Sequence, residues 1–231
     1  MGGPLDGYRI VELTSTVSGP MTGMILADQG ADVIKVEPPM IGDLARYMGC
    51  TRNGMGAMYA VLNRNKRSLV LDFKESNQKD IFAKLIQTAD VIIENYRPGV
   101  VKKLEIDYEK LSAIQPQLIY VSISGYGQSG PYSERRVYDP LVQASSGTAA
   151  AQDGERPTNV STVIFDKVTA YTAAQAVTAA LLQREKTGMG QYLPISMLAS
   201  SLYYQWPDLM WSRTLLGDDV NYAGELADYF Q

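Results

Sequence analysis

The sequence predicts an α/β fold: a Rossmann-like, doubly wound, mostly parallel sheet with flanking helices, followed by long C-terminal helices. Short aliphatic and β-branched runs alternate with helical stretches across residues 8–122, the order that builds a parallel sheet. The first such unit is punctuated at both helix ends by proline and glycine, and the same unit then recurs along the chain. Beyond residue 137 the strand signal fades and long alanine-rich helical sequence takes over.

Tyr8-Arg-Ile-Val-Glu-Leu13 reads as a short buried strand. Residues 14–18 form a polar turn, and Gly19-Pro20 opens an apolar helix through Ala27 that Gly30 caps. Asp32-Val-Ile-Lys-Val-Glu37 is the second strand, and Ser68-Leu-Val-Leu-Asp72 is the next. Residues 76–88 carry Ile81, Leu85 and Ile86 at helical spacing, and Asp90-Val-Ile-Ile-Glu94 follows as a strand. Two short helices at 100–104 and 108–114 precede a strand at 118–122. Asp166 opens a helix from Lys167 to about Glu185, closed by Thr187-Gly188; 191–196 is a strand, and 197 to about 213 is a helix. Residues 216–231 show no strong periodicity. Ligands of such sheets sit beyond the C-terminal strand ends, which points to the turns after Leu13, Glu37, Glu94 and Ser124.

Composition narrows the chemistry. The 231 residues include no histidine and one cysteine, Cys50. A Ser-His-Asp triad, a Cys-His dyad and an HExxH zinc site are therefore excluded, and no metal site is expected. Acid–base or nucleophilic work falls to Asp, Glu, Lys, Tyr, Ser or Cys50. The net charge of −4 argues against nucleic-acid binding, and no run of 18 apolar residues spans a membrane. The single cysteine and the absence of a leader pattern in the opening residues fit the reducing cytoplasm.

Gly125-Tyr-Gly-Gln-Ser-Gly130 is a literal G-x-G-x-x-G, but it comes late and Pro131-Tyr-Ser-Glu-Arg-Arg136 is a poor helix. A flexible glycine loop is the simpler reading. Lys35, Arg46, Lys66-Arg67, Arg97, Lys102-Lys103 and Arg135-Arg136 cluster at strand ends. They are either solvated surface or the cradle of a phosphorylated ligand. Asp166 reads as a helix N-cap, and the same helix terminus favours an ionised carboxylate able to act as a nucleophile.

Leu5-Asp-Gly-Tyr-Arg-Ile-Val-Glu-Leu13, Leu26-Ala-Asp-Gln-Gly-Ala-Asp-Val-Ile-Lys-Val-Glu-Pro-Pro39, Gly42-Asp-Leu-Ala-Arg46, Asn65-Lys-Arg-Ser-Leu69, Glu94-Asn-Tyr-Arg-Pro-Gly99, Leu118 to Pro131, Tyr138-Asp-Pro140 and Thr187-Gly-Met-Gly-Gln191 together resemble the family III CoA-transferases. That family includes the formyl-CoA and carnitine CoA-transferases and the α-methylacyl-CoA racemases. The resemblance runs in order over residues 4–200. It implies a CoA-binding large domain over 1–200, with 201–231 as a helix and the start of a linker towards a small domain that this chain, which reads as truncated, lacks. It implies transfer of CoA from an acyl-CoA to a small carboxylic acid through aspartyl anhydride and aspartyl-CoA thioester intermediates, with Asp166 as the catalytic residue. CoA is then a substrate, and no tightly bound cofactor is expected. Val17, Arg46, Lys66, Asn95, Tyr96, Lys103 and Arg136 match the family's CoA contacts, and Gly125, Gly127, Gly130, Tyr138 and Asp139 a substrate-site loop. An interlocked homodimer is also implied. The racemase branch pairs a histidine with the aspartate, and Tyr138 stands at that histidine's place, which favours the transferase branch. A racemase with unusual bases, or a non-catalytic CoA-binding or structural fragment, are the alternatives.

Overall fold

The computed structural model describes residues 2–152, 155–211 and 214–220. Six parallel strands form the central sheet: β1 (Arg9–Leu13), β2 (Asp32–Glu37), β5 (Lys66–Val70), β6 (Val91–Glu94), β7 (Ile119–Ser124) and β8 (Gln191–Ser196). Their order is β5-β2-β1-β6-β7-β8. A small antiparallel hairpin, β3 (Thr51–Arg52) with β4 (Met55–Gly56), lies outside the sheet. The chain winds outward from β1 through β2 to β5, then restarts at β6 and winds the other way. The reversal point is the gap between β1 and β6, where open α/β sheets place their ligands.

Helices cover both faces, so the strands are apolar on successive residues. Ile10, Val91, Ile93, Ile119, Val121 and Ile123 pack with Leu26 of α1 (Ser18–Asp28) and with Ala173, Val177 and Leu181 of α7 (Phe165–Thr187). Val11, Leu13, Ile92, Leu118 and Tyr120 face the other way, onto Phe82 and Ile86 of α3 (Ser76–Ile86) and Leu111 of α5 (Tyr108–Ile114). Short helices α2 (Ala57–Leu62), α4 (Val100–Leu104) and α6 (Asp139–Ser145) fill connections, and α8 (Met197–Leu209) packs against α6 and α7. None of the described helices is long and apolar enough to cross a membrane.

The fold expected from the sequence is present, with instructive differences. The strand expected at 68–72 runs instead from Lys66 to Val70, because Lys66 turns inward to a buried carboxylate and starts the ladder opposite Val33. The long helix begins at Phe165 rather than Lys167, with Ile164 at its N-cap. Asp166 is therefore inside the first turn and does not cap the helix. Gly188 ends the helix in the left-handed conformation, as expected. The domain boundary expected after residue 200 falls inside α8, which stops at Leu209, two residues after Pro207; residues 212–213 and 221–231 of the expected helix and linker lie outside the described residues. The hairpin, α2 and α6 have no counterpart in the periodicity.

Candidate active site

At the β1/β6 reversal a cleft opens between four segments. Ser15 and Thr16 come from the turn after β1, and residues 95–98 from the turn after β6. Gly125 and residues 135–138 come from the loop after β7, and Asp166 from the first turn of α7. The turn after β1 is bent hard: Thr16 has φ 78°, a left-handed conformation that a β-branched residue rarely adopts. Asp43 holds it there. Its Oδ1 accepts from Ser15 Oγ, the Thr16 amide and the Ala45 amide at 2.8–2.9 Å. Asn95 ties the same turn to its neighbour, accepting from the Ser15 amide at 3.0 Å and donating to the Ser15 carbonyl at 2.9 Å.

Below the turn lies a fully buried ionic network. Lys35 Nζ meets Glu12 Oε1 at 2.8 Å and Asp43 Oδ2 at 2.9 Å and donates to the Thr14 carbonyl at 2.9 Å. Lys66 Nζ meets Glu12 Oε2 at 2.7 Å. Burial alone would pull the Lys35 ammonium down, but Glu12 and Asp43 outweigh it and hold it above the usual lysine value. Lys66 shares one carboxylate and is held below its usual value by burial. Gly23 of α1 makes room for this pair, because a Cβ there would fall 1.9 Å from Glu12 Oε2. Arg46 is bonded through two nitrogens to Glu37, at 2.9 and 2.7 Å, and lies over the Tyr59 ring. Burial would raise Glu37, but Arg46, the Asp43 amide and Tyr59 bring it down to about 2.

Six of the nine strand-end cations divide into two groups. Lys35, Lys66 and Arg46 are committed to internal carboxylates. Arg97, Arg135 and Arg136 line the cleft, and among the described residues none of the three has a carboxylate within ion-pair distance. Arg135 stacks over Tyr132 at 4.2 Å. An arginine held on an aromatic face keeps its planar donors directed outward for an anion.

Asp166 shares this cleft with the arginines. Its carboxyl lies beside Ser18, whose hydroxyl and amide favour the charged form, so two helix N-termini, those of α1 and α7, converge on one carboxylate. Those contacts and the helix dipoles favour the ionised form. Burial and the charge of Asp139 oppose them more strongly, and the carboxyl is raised to about 6. At pH 7 it is still about nine-tenths ionised. It is thus a carboxylate less solvated and more basic than an ordinary aspartate, suited to attack an activated carbonyl or to move a proton.

The true cap of α7 is Asp139, 27 residues before Asp166. Its Oδ2 accepts from the amides of Ile164 at 2.9 Å, Phe165, and Asp166 at 3.2 Å, and Gln143 donates to its Oδ1. Asp139→Asn keeps an oxygen for those amides and removes the charge. In a carboxyl NMR titration the midpoint of Asp166, near 6 in the native protein, is expected to move to lower pH in this variant. An unchanged midpoint would mean that burial alone sets it.

Of the residues singled out in the sequence, Asn95, Tyr96, Gly125, Arg136, Tyr138 and Asp166 come together on the cleft wall. Asp139 stands behind it, buried. Gly127 and Gly130, at φ 94° and 95°, turn the loop outside the lining, and Gly125 is where Val137 packs so closely that a Cβ would sit 1.9 Å from its Cγ1. No helix follows this loop before Asp139, so it is not a dinucleotide fingerprint. Val17 is buried at the start of α1, Lys103 is exposed on α4, and with Arg46 and Lys66 they lie outside the lining. Ser18 was not among the expected site residues, and Arg97 and Arg135 were expected only as members of the strand-end basic cluster. The two arginines carry the same strand-end signal as Arg136, whereas Ser18 has no local mark. Among the described residues no three metal-ligating side chains converge.

The family model for CoA-transferase family III matches residues 5–228. An acetyl-CoA:oxalate CoA-transferase from Acetobacter aceti is 40% identical over 217 residues, covering 92% of this chain and 56% of the relative. The human succinyl-CoA:glutarate CoA-transferase is 37% identical over 203 residues, covering 86% and 46%. A CAIB/BAIF family protein from Brucella suis, a crystal structure, superposes with a TM-score of 0.86 at 36% identity, over 91% of this chain and 57% of that one. The chain spans about half the length of the curated relatives it matches.

Proposed function

The chain belongs to CoA-transferase family III, and from that membership we propose that the protein moves CoA from an acyl-CoA to a small carboxylic acid through Asp166. The observation that carries this reading is a basic, still ionised carboxylate on the wall of a cleft whose three arginines pair with no carboxylate among the described residues. In the proposed sequence an Asp166 oxygen attacks the thioester carbonyl, the C–S bond breaks, and CoA thiolate leaves a mixed anhydride. The thiolate returns to the aspartyl carbonyl and expels the donor carboxylate, giving an aspartyl-CoA thioester. The acceptor carboxylate attacks that thioester to form a second anhydride and free thiolate. Attack of the thiolate on the acceptor carbonyl then releases the new acyl-CoA and restores Asp166. Two covalent stages replace one difficult exchange, and no proton donor is required, which suits a chain without histidine.

Arg97, Arg135, Arg136, Asn95 and Tyr96 are the proposed anion and CoA contacts at the cleft. The roles of Val17, Arg46, Lys66 and Lys103 in CoA binding are proposed on the resemblance alone. The relatives' names pair CoA with oxalate, succinate and glutarate, and a small dicarboxylate is the proposed acceptor class. The protein is proposed to work as an interlocked homodimer in the cytoplasm. An exposed aromatic face of α7 and α8, with Tyr171, Tyr203, Tyr204 and Trp206, would suit burial in such an assembly.

A carboxyl raised to about 6 is also a competent base at an α-carbon, so proton transfer is the second reading. Assay of the complete protein with several acyl-CoA donors and a panel of carboxylates, in deuterated buffer, separates the two. Transfer of CoA without deuterium entering the acyl group supports the transferase; deuterium entry without transfer overturns it.

A further inference from the structure

Beneath the cleft floor, on the sheet face turned towards α3 and α5, Glu94 ends β6 with 1% of its surface exposed. Among the described residues it has no cation within ion-pair distance. Its partners are neutral: Ser122 Oγ donates to Oε1, and the Tyr96 amide donates to Oε2 at 2.8 Å. The same Ser122 hydroxyl accepts from Gln128 Nε2 at 2.8 Å and also lies against the Tyr192 side chain. A carboxylate buried without a counter-charge is costly, and burial pushes this one up to about 7. One arm ends in the cleft wall at Tyr96; the other ends at Gln128, outside the lining, in the loop whose Gly125 and residues 135–138 do line the cleft. Tyr96 belongs to the turn after β6. Gln128 is the middle of the glycine loop after β7, whose turns Gly127 and Gly130 make at positive φ.

We propose that Glu94 is a positioning residue for acyl-CoA: through Tyr96, and through Ser122 and Gln128, it sets the spacing of the two walls between which the ligand enters. The proposal rests on the CoA-transferase reading of the cleft. It predicts that the side chains act as one chain, so that breaking either link has the same consequence.

The test uses calorimetric titration of the complete protein with CoA. Gln128→Met keeps the bulk of an exposed side chain and removes the donor, so folding is not at issue. Ser122→Ala removes the middle link, and Glu94→Gln leaves one acceptor where there were two. Each is expected to weaken CoA binding about five-fold, the size of one hydrogen bond's contribution. The Ser122→Ala/Gln128→Met double variant is expected to be no weaker than the weaker single, because coupled residues are not additive. Acyl labelling of Asp166 at saturating acyl-CoA should stay at the wild-type level. A merely structural role would lower the thermal midpoint and leave CoA affinity alone. Native affinity in the single variants, or losses that multiply in the double, overturns the proposal while leaving the transferase reading intact. A wild-type protein that does not bind CoA overturns both.

Discussion

Replacing Asp166 with alanine is expected to reduce CoA transfer by at least about a thousand-fold, the usual scale for removing a covalent nucleophile, while CoA affinity changes less than about three-fold. The separation follows from position. Asp139, not Asp166, holds the amides at the start of α7, so truncating Asp166 leaves the helix terminus capped and the arginines in place. The same residue carries a stability cost. Because its carboxyl is raised to about 6, the folded protein binds its proton more tightly than the unfolded chain does, and folding is penalised wherever the group is ionised. The penalty is absent below about pH 4, grows between 4 and 6, and is complete above 6. Asp166→Asn should therefore stabilise the protein by up to about 3 kcal/mol at pH 7.5, with the gain fading as pH falls through that window. Denaturant melts at pH 7.5 and pH 4 check it. An inactive variant that is more stable at neutral pH and not at acid pH is the pattern of a site kept for chemistry.

The largest stability loss is expected for Lys35→Met. The ammonium is 1% exposed and is the only cation among the described residues within ion-pair distance of Asp43, while Glu12 retains Lys66. Removing it strands a buried carboxylate, a change that costs about 3–5 kcal/mol. For a chain of this size that lowers the thermal midpoint by roughly 10 °C. Asp43→Asn added to Lys35→Met should recover part of the loss, since the stranded charge is then gone while the acceptor oxygen for Ser15, Thr16 and Ala45 remains. The ion pairs with Glu12 and Asp43 raise the Lys35 ammonium, so its stabilisation persists through neutral pH and fades only as pH rises through that raised value. The functional consequence is local: Asp43 keeps the Thr16 turn in its strained form, so Lys35→Met should also weaken CoA binding at that wall of the cleft.

The sheet was legible because each of its features is local. Ile92-Ile93 and Val33-Ile34 mark strands buried on both sides, and Pro20 and Gly188 mark helix ends. The cleft was legible as a place, since strand ends and their turns follow from the element order. What escaped was whatever depends on pairs far apart in sequence. Asp166 has the sequence context of an N-cap, yet the cap arrives from Asp139 across a long loop, and nothing near either residue announces it. Lys66 and Arg46 match the family's CoA contacts by resemblance, and nothing near them in sequence announces their ion pairs to Glu12 and Glu37. One signal was available: Glu12 and Lys35 are charged residues inside aliphatic runs, and they prove to be register partners on β1 and β2. Opposite charges at matching positions of two buried strands are a buried ion pair before they are a binding site.

The most direct measurement is mass spectrometry of the complete protein after incubation with an acyl-CoA and quenching with hydroxylamine, which converts an activated aspartyl group to its hydroxamate. The account predicts a hydroxamate on the peptide carrying Asp166, dependent on acyl-CoA and suppressed by excess acceptor carboxylate. Turnover of CoA esters with no such adduct at Asp166, or with the adduct on another carboxylate, would contradict it.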